Sequence, residues 1–230
     1  MRGLAIDTSN LVMGVATIDD GRITGEYMTN LKKNHSVRLM PAVEQLMQEV
    51  DMSPKDLDRV IVATGPGSYT GVRIGVSIAK TLAWSLEIPI VGVSSLEVLA
   101  QNGAYFNGLV SPLFDARRGQ VYTGLYQFEG DKSTVVGDER LILMEDWLQM
   151  LKEKKQPVLF LGNDVELYEE LIREQLGEMA TIGSVSMHNP RASELARLGM
   201  AKEPENLHTF VPNYLRLAEA EAKWLASQGK

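Results

Sequence analysis

The order of its secondary-structure signals constrains this 230-residue chain more than any single motif does, because one series, strand–strand–strand–helix–strand–helix, is legible twice. In the first half, Leu4–Asp7 and Val12–Ile18 are rich in β-formers, and Asp19-Asp20-Gly21 is a turn whose glycine can take positive φ. A third run, Arg22–Thr29, completes a meander. Val37, Met40, Val43, Met47 and Val50 recur at spacings of three and four and predict a helix. Ser36 is its expected N-cap, and Pro41 falls early enough to bend the helix rather than break it. Val60–Ala63, a short apolar run without alternation, reads as a buried strand. It enters Gly65-Pro66-Gly67 and a helix over Thr70–Leu86. Ile90–Val93 is the next strand, and a short helix follows Ser94-Ser95.

The second half gives strands at Leu109–Asp115, Gln120–Phe128 and Thr134–Leu143, then a helix over Glu145–Lys154 with Trp147, Leu148 and Leu151 on one side. Val158–Leu161 is a buried strand, Val165–Leu176 a helix stopped by Gly177, Ala180–Val185 a last strand and Ala192–Ala201 a last helix. The two halves share no sequence repeat. Two such lobes describe the α/β architecture of actin, Hsp70 and the sugar kinases, an actin-like (ribonuclease H-like) fold with a β-meander opening each lobe. The lobes are expected at residues 1–107 and 108–230, with the C-terminal helix packing back on the first. One continuous doubly wound sheet is the competitor, but such a sheet alternates strand and helix from its start.

Composition excludes whole classes of function. With no cysteine, thiolate catalysis, zinc–thiolate sites and disulfide scaffolds are ruled out. A net charge of −7 makes the chain a poor binder of nucleic acid unaided. Val72–Val93, the most apolar stretch, is interrupted by Arg73, Lys80 and Glu87 and is no membrane span. The apolar run at the N-terminus is too short for a signal peptide, so the expected compartment is the cytoplasm.

An actin-like ATPase binds phosphate with an Asp closely followed by Gly in the hairpin that opens each lobe; the Asp orients metal-bound water and the Gly admits the phosphates. Lobe one offers Asp7-Thr8-Ser9-Asn10, with no glycine before Gly14, and lobe two offers Asp115-Ala116-Arg117-Arg118-Gly119. Each has an acid without the clearance. Asp7, Thr8, Ser9 and Asp115 are therefore candidates only for a vestigial phosphate site, and Asp7 equally for a turn cap. The block Gly65-Pro66-Gly67-Ser68-Tyr69-Thr70-Gly71 lacks the Gly-Lys-Ser/Thr of a phosphate loop and reads as a tight strand-to-helix turn. His35, His188 and His208 include no His-x-x-x-His pair, so no metal site is expected.

Gly71, Gly75, Ala79 and Ala83 fall at intervals of four, beside a second ridge of Ile74, Ile78, Leu82 and Leu86. Glycines inside a helix cost about 1 kcal/mol each relative to alanine, so something must come close to that backbone. The expectation is that the large ridge covers the home sheet and the small one faces a neighbouring chain, with Met40 and Met47 completing the face.

Gly3-Leu4-Ala5-Ile6-Asp7-Thr8-Ser9, His35-Ser36, Gly65 to Gly75, Ser94-Ser95-Leu96-Glu97, Asp115-Ala116-Arg117 with Val121-Tyr122, and Pro212-Asn213-Tyr214-Leu215-Arg216 together resemble the bacterial TsaB (YeaZ) family. The resemblance covers nearly the whole chain. It implies an actin-like fold with no catalytic residues, metal or cofactor of its own, in a scaffold for synthesis of N6-threonylcarbamoyladenosine in tRNA. The implied partners are a TsaD-like catalytic subunit and a TsaE-like ATPase, with a homodimer when the protein is alone and tRNA met only through the complex. The implied interface lies on the two first-lobe helices, at His35, Ser36, Val37, Met40, Met47, Gly71, Arg73, Gly75, Ala79 and Ala83. The enzyme alternatives are a metalloprotease of the glycoprotease type, disfavoured by the missing histidine pair, and a weak ATPase.

Overall fold

The structure, a computed structural model, describes residues 1–215; Arg216 of the last motif and the rest of the expected second lobe, residues 216–230, lie outside the described residues. β1 (Arg2–Asp7) is apolar on both faces and so needs cover on both. It is the middle strand of a five-stranded sheet of order β3-β2-β1-β4-β5. β2 (Val12–Asp19) runs antiparallel to it, as β3 (Arg22–Asn30) does to β2, while β4 (Arg59–Ala63) and β5 (Ile90–Val93) continue in parallel. Asp20 (φ 44°) and Gly21 (φ 82°) supply the left-handed pair that a two-residue hairpin turn needs. Alternation assigns the faces. Leu4, Ile6, Val60 and Val62 pack beneath α1 (His35–Glu49) and α2 (Tyr69–Leu86), and the residues between them point to the other side.

The second sheet repeats this plan. After α3 (Ser95–Ala100), β6 (Leu109–Asp115), β7 (Gln120–Glu129) and β8 (Lys132–Leu143) form the meander. Beyond α4 (Met144–Lys154), β9 (Val158–Leu161) pairs in parallel with β6. α5 (Glu169–Leu176) then leads to β10 (Ala180–Ile182), so the order β8-β7-β6-β9-β10 matches the first sheet strand for strand. Trp147 anchors α4 in this core, and its Nε1–H is satisfied by Ser111 Oγ at 3.0 Å.

Two segments tie the lobes together. Leu96, Leu99 and Ala100 of α3 pack with Val110, Phe114, Tyr126 and Leu161 of the second lobe. α6 (Ala192–Met200) lies across the open face of the first sheet, where Ala5, Ala16, Ile61 and Val91 meet Ala192, Leu195 and Ala196. The chain after α6 stays on the first lobe: Glu205 N bonds Ile90 O at 2.9 Å, Lys80 Nζ bonds Phe210 O at 2.7 Å and Asn213 N bonds Thr64 O at 2.8 Å. Among the described residues no helix is long and apolar enough to cross a membrane.

Three local expectations are corrected. The cap of α1 is Asn34, whose side chain accepts from Ser36 N at 3.0 Å; Ser36 lies inside the first turn. Val165–Leu176 is not one helix but a 3-10 stretch over Asn163–Tyr168 followed by α5. The last strand stops at Ile182, short of Val185.

Candidate functional site

The first hairpin loop begins where β1 delivers Asp7 into the interior, 2% exposed. Its Oδ1 accepts from Ser9 N at 2.8 Å, closing an Asx turn. Its Oδ2 is buried with no hydrogen-bond partner among the described residues, as is Nδ1 of His35, the first residue of α1. His35 Nε2 sits 2.8 Å from Asn10 O, which ties α1 to the same loop. Burial pushes the Asp7 carboxyl above its ordinary range, against the Ser9 hydrogen bonds and the nearby imidazole, which lower it.

The loop is packed directly on the glycine block. Ser68 N, at the start of α2, donates to Ser9 O at 2.7 Å, and Thr8 Oγ1 donates to Gly71 O at 2.7 Å. A Cβ on Gly67 would lie 2.2 Å from Ser9 O, one on Gly71 2.2 Å from Thr8 O, and one on Gly75 2.6 Å from Thr8 Oγ1. The space these glycines create is filled by the chain's own loop. Of the N–H groups at the start of α2, those of Ser68 and Gly71 are already used, by Ser9 O and Ser68 Oγ.

The second hairpin loop starts from Asp115 in the same way, since its Oδ1 accepts from Arg117 N at 3.1 Å. Here the acid has further partners: Tyr168 OH donates to Oδ1 at 2.7 Å, and the Asp115 N–H donates to Asp164 Oδ2 at 2.8 Å. Burial raises the Asp164 carboxyl, aided by the Asp115 charge, while that N–H lowers it. Burial and the two acids also push the Tyr168 phenol up. The tip is exposed, and Arg117 (φ 66°), Arg118 (φ 57°) and Gly119 (φ 72°) are all left-handed. For the two arginines that conformation costs roughly 1–2 kcal/mol each.

The small ridge of α2 points the opposite way from the expectation. Gly71, Gly75, Ala79 and Ala83 are all buried on the home sheet, and the large ridge of Ile74, Ile78, Leu82 and Leu86 is the partly covered one. The cause is the Thr8-Ser9 loop, which only glycine-width positions let approach the helix. Met47 is likewise core, 4% exposed, with Leu39, Val43 and Leu46. The other residues of α1 divide: Val37 (67%) and Met40 (41%) are exposed, Ser36 is exposed, and His35 is half-buried against Asn10. Arg73 is exposed, its guanidinium 4.5 Å from the Tyr69 ring centre and its Nε donating to Tyr214 OH at 2.9 Å. That cluster, with Tyr122 lining the same pocket, was missed in the sequence; only the shared motif membership of Tyr69, Arg73, Tyr122 and Tyr214 hinted at it. Tyr168 and Asp164 left no signal at all. The three histidines stay apart, His188 Nδ1 accepting from Gly162 N at 3.2 Å and His208 exposed on the segment after α6.

Two like-ordered mixed sheets, each opening on a hairpin with an acid at the end of its first strand, define the two-lobed actin-like class. The Thermus thermophilus ROK hexokinase shares that fold, with a TM-score of 0.50 at 10% identity over 87% of this chain and 98% of its own. The family model described as TsaD, tRNA N6-adenosine threonylcarbamoyltransferase, matches residues 23–224. A Bacillus subtilis protein named tRNA threonylcarbamoyladenosine biosynthesis protein TsaB is 59% identical over 225 residues, 98% of either chain. The solved structure of YeaZ from Pseudomonas aeruginosa superposes with a TM-score of 0.76 at 26% identity, over 93% of this chain and 99% of its own. This chain belongs to the TsaB (YeaZ) family.

Proposed function

We propose that the chain is a non-catalytic scaffold subunit of the assembly that makes N6-threonylcarbamoyladenosine beside the anticodon of tRNAs reading codons that begin with A. It holds a TsaD-like catalytic subunit, is joined by a TsaE-like ATPase, and pairs with itself when alone. It works in the cytoplasm and meets tRNA through the complex. One observation carries this reading: the place where an actin-like enzyme admits phosphate is occupied by Thr8 and Ser9, packed on Gly67, Gly71 and Gly75.

The docking face in this reading is the outer side of α1 and α2, which lie side by side. Val37 and Met40 are its exposed apolar residues, and Ile74 and Ile78 are the half-covered ones beside the core. His35, Ser36 and Arg73 belong to its rim. Gly71, Gly75, Ala79, Ala83 and Met47 support it from beneath.

Co-purification with the TsaD-like subunit tests the reading. Val37→Asp combined with Met40→Asp keeps the thermal melt within a few degrees and weakens the complex by about 1,000-fold, the scale of two hot-spot losses of about 2 kcal/mol each. An unchanged complex removes this face from the proposal. Depleting the chain from cells lowers threonylcarbamoyladenosine in digested tRNA, read by mass spectrometry, and a normal level would sink the scaffold role.

A further inference from the structure

We propose that Lys32 and Lys33, in the loop between β3 and α1, are the charged anchor of the docking face and take a carboxylate side chain of the TsaD-like subunit. That assignment rests on the reading above, which sets this subunit against the exposed side of α1.

Between Glu26 and Glu44 the chain carries Lys32, Lys33 and Arg38 and no acid, although the whole has 30 acidic against 23 basic residues. Other cations of the chain find acids close by: Arg2 pairs with Asp19, Arg173 with Glu169, Arg197 with Glu194 and Lys202 with Glu97. Glu26, at the edge of the acid-free stretch, is taken by Arg191. Lys32 and Lys33 are exposed, and neither ammonium group has a hydrogen bond or ion pair among the described residues. Arg38 donates from Nη2 to Thr29 Oγ1 at 2.8 Å, and its Nη1 is buried with no hydrogen-bond partner among the described residues. This end of α1 therefore carries positive charge that nothing in its own chain neutralises, on a protein whose net charge is −7.

The two lysines stand at a recess. With Asn34, His35, Asn10 and Ser68 they line a cavity of about 440 Å³, and no acid is among its lining residues. Asp7, which interacts electrostatically with His35, is buried, and burial pushes its carboxyl above the ordinary range, so it is a weak counter-ion. A carboxylate entering the recess meets two long side chains whose donors can turn toward it. Exposed apolar residues adjoin the lysines. Leu11 lines the same cavity, Leu31 precedes Lys32, and Val37 and Met40 follow on α1. A free phosphate would use the lysines and leave those side chains uncovered. An acidic segment of a protein uses both: the apolar contacts supply area, and the charge pair fixes register and partner choice.

The test is the affinity of the chain for the TsaD-like subunit, measured by calorimetry at two salt concentrations. Lys32→Gln with Lys33→Gln removes both charges at exposed positions. Affinity falls about 10-fold at about 50 mM salt, and the difference from wild type narrows to about 3-fold at about 500 mM, as screening of a charge at the rim requires. Lys152→Gln with Lys154→Gln, the same charge change on α4, leaves affinity as in wild type at both concentrations. Equal affinity of the Lys32/Lys33 variant and wild type overturns the inference and leaves the docking face standing, since Val37 and Met40 test that face separately. A loss of the same size at both salt concentrations also overturns it, because the lysines would then act through packing of their stems and not through charge. Inorganic phosphate titrated into the chain alone covers the other source of negative charge. Saturable binding that disappears in the double Gln variant makes the recess a phosphate site and overturns the inference. If wild type does not bind the TsaD-like subunit at all, the scaffold reading falls and the anchor falls with it.

Discussion

Asp7 and Asp115 hold corresponding places in two sheets of identical order, and each closes the same turn by accepting from the N–H two residues on. Beyond that the two hairpins part. The first is sealed: Thr8 and Ser9 are buried, their carbonyls pressed on Gly71 and Gly67. The second is presented: its acid is braced by Tyr168, and its tip carries two exposed arginines in left-handed conformation. In both loops the acid accepts from the N–H two residues on, and the loops differ in what the turn is pressed against.

The sharpest way to break this comparison is to put a side chain where each loop is tightest. In Gly71→Val the new Cβ would meet Thr8 O at 2.2 Å, and a backbone carbonyl cannot step aside. The expected loss is about 3 kcal/mol in urea unfolding, the upper range of overpacking. Gly75→Leu behaves similarly, since its Cβ would meet Thr8 Oγ1 at 2.6 Å. At the tip of the second loop a Cβ on Gly119 meets nothing within 4 Å, so Gly119→Ala costs about 1 kcal/mol, the left-handed penalty alone. Similar losses in the two loops would end the distinction between sealed and presented.

The pH dependence of Asp7→Asn is a second, smaller test. Burial raises the Asp7 carboxyl, so the folded protein binds that proton more tightly than the unfolded chain does. The associated stability is complete below the unfolded aspartate pKa of about 3.9 and is lost as pH rises through the raised folded value. An asparagine has no proton to lose and still accepts from Ser9 N. The variant therefore gains on wild type as pH climbs from about 4 to 7, by on the order of 1 kcal/mol, the scale of one buried polar group without a partner. Parallel urea midpoints at every pH would show that Asp7 is not sealed from water.

The repeated order of elements was legible because strands here are short apolar runs cut by Gly turns, and those signals are local. Ile90–Val93, Leu109–Asp115 and Val158–Leu161 are found where the sequence places them. The direction of the α2 ridge was not legible. A stripe of Gly71, Gly75, Ala79 and Ala83 says that something comes close, but that neighbour is Thr8, 63 residues earlier in the chain. The cap of α1 was ambiguous for a similar reason: Asn34 and Ser36 are both capping residues, and the loop contact of His35 with Asn10 accompanies the earlier start. Of the candidate site, the two acids are readable from strand ends, whereas the brace on Asp115 comes from Tyr168, 53 residues away in a 3-10 stretch whose sequence predicts plain helix.

That brace gives the smallest predicted effect and the most specific one. Tyr168→Phe removes the hydroxyl that donates to Asp115 Oδ1 at 2.7 Å and leaves the ring in place. Because Tyr168 is only partly buried, the global cost is about 0.5–1 kcal/mol, below the usual ~1.5–3 kcal/mol for a hydrogen bond to a charged group. The local consequence is more telling, since the same oxygen receives the Arg117 N–H. Hydrogen exchange at the Arg117 amide should accelerate about 3- to 5-fold in the variant, while exchange at the Ser9 amide, held by Asp7 in the other lobe, stays as it was. Unchanged exchange at Arg117 would mean that Asp115 holds the arginine turn without help. Faster exchange at both amides would mean that the two loops move together, and the contrast between them would have to be redrawn as one coupled unit.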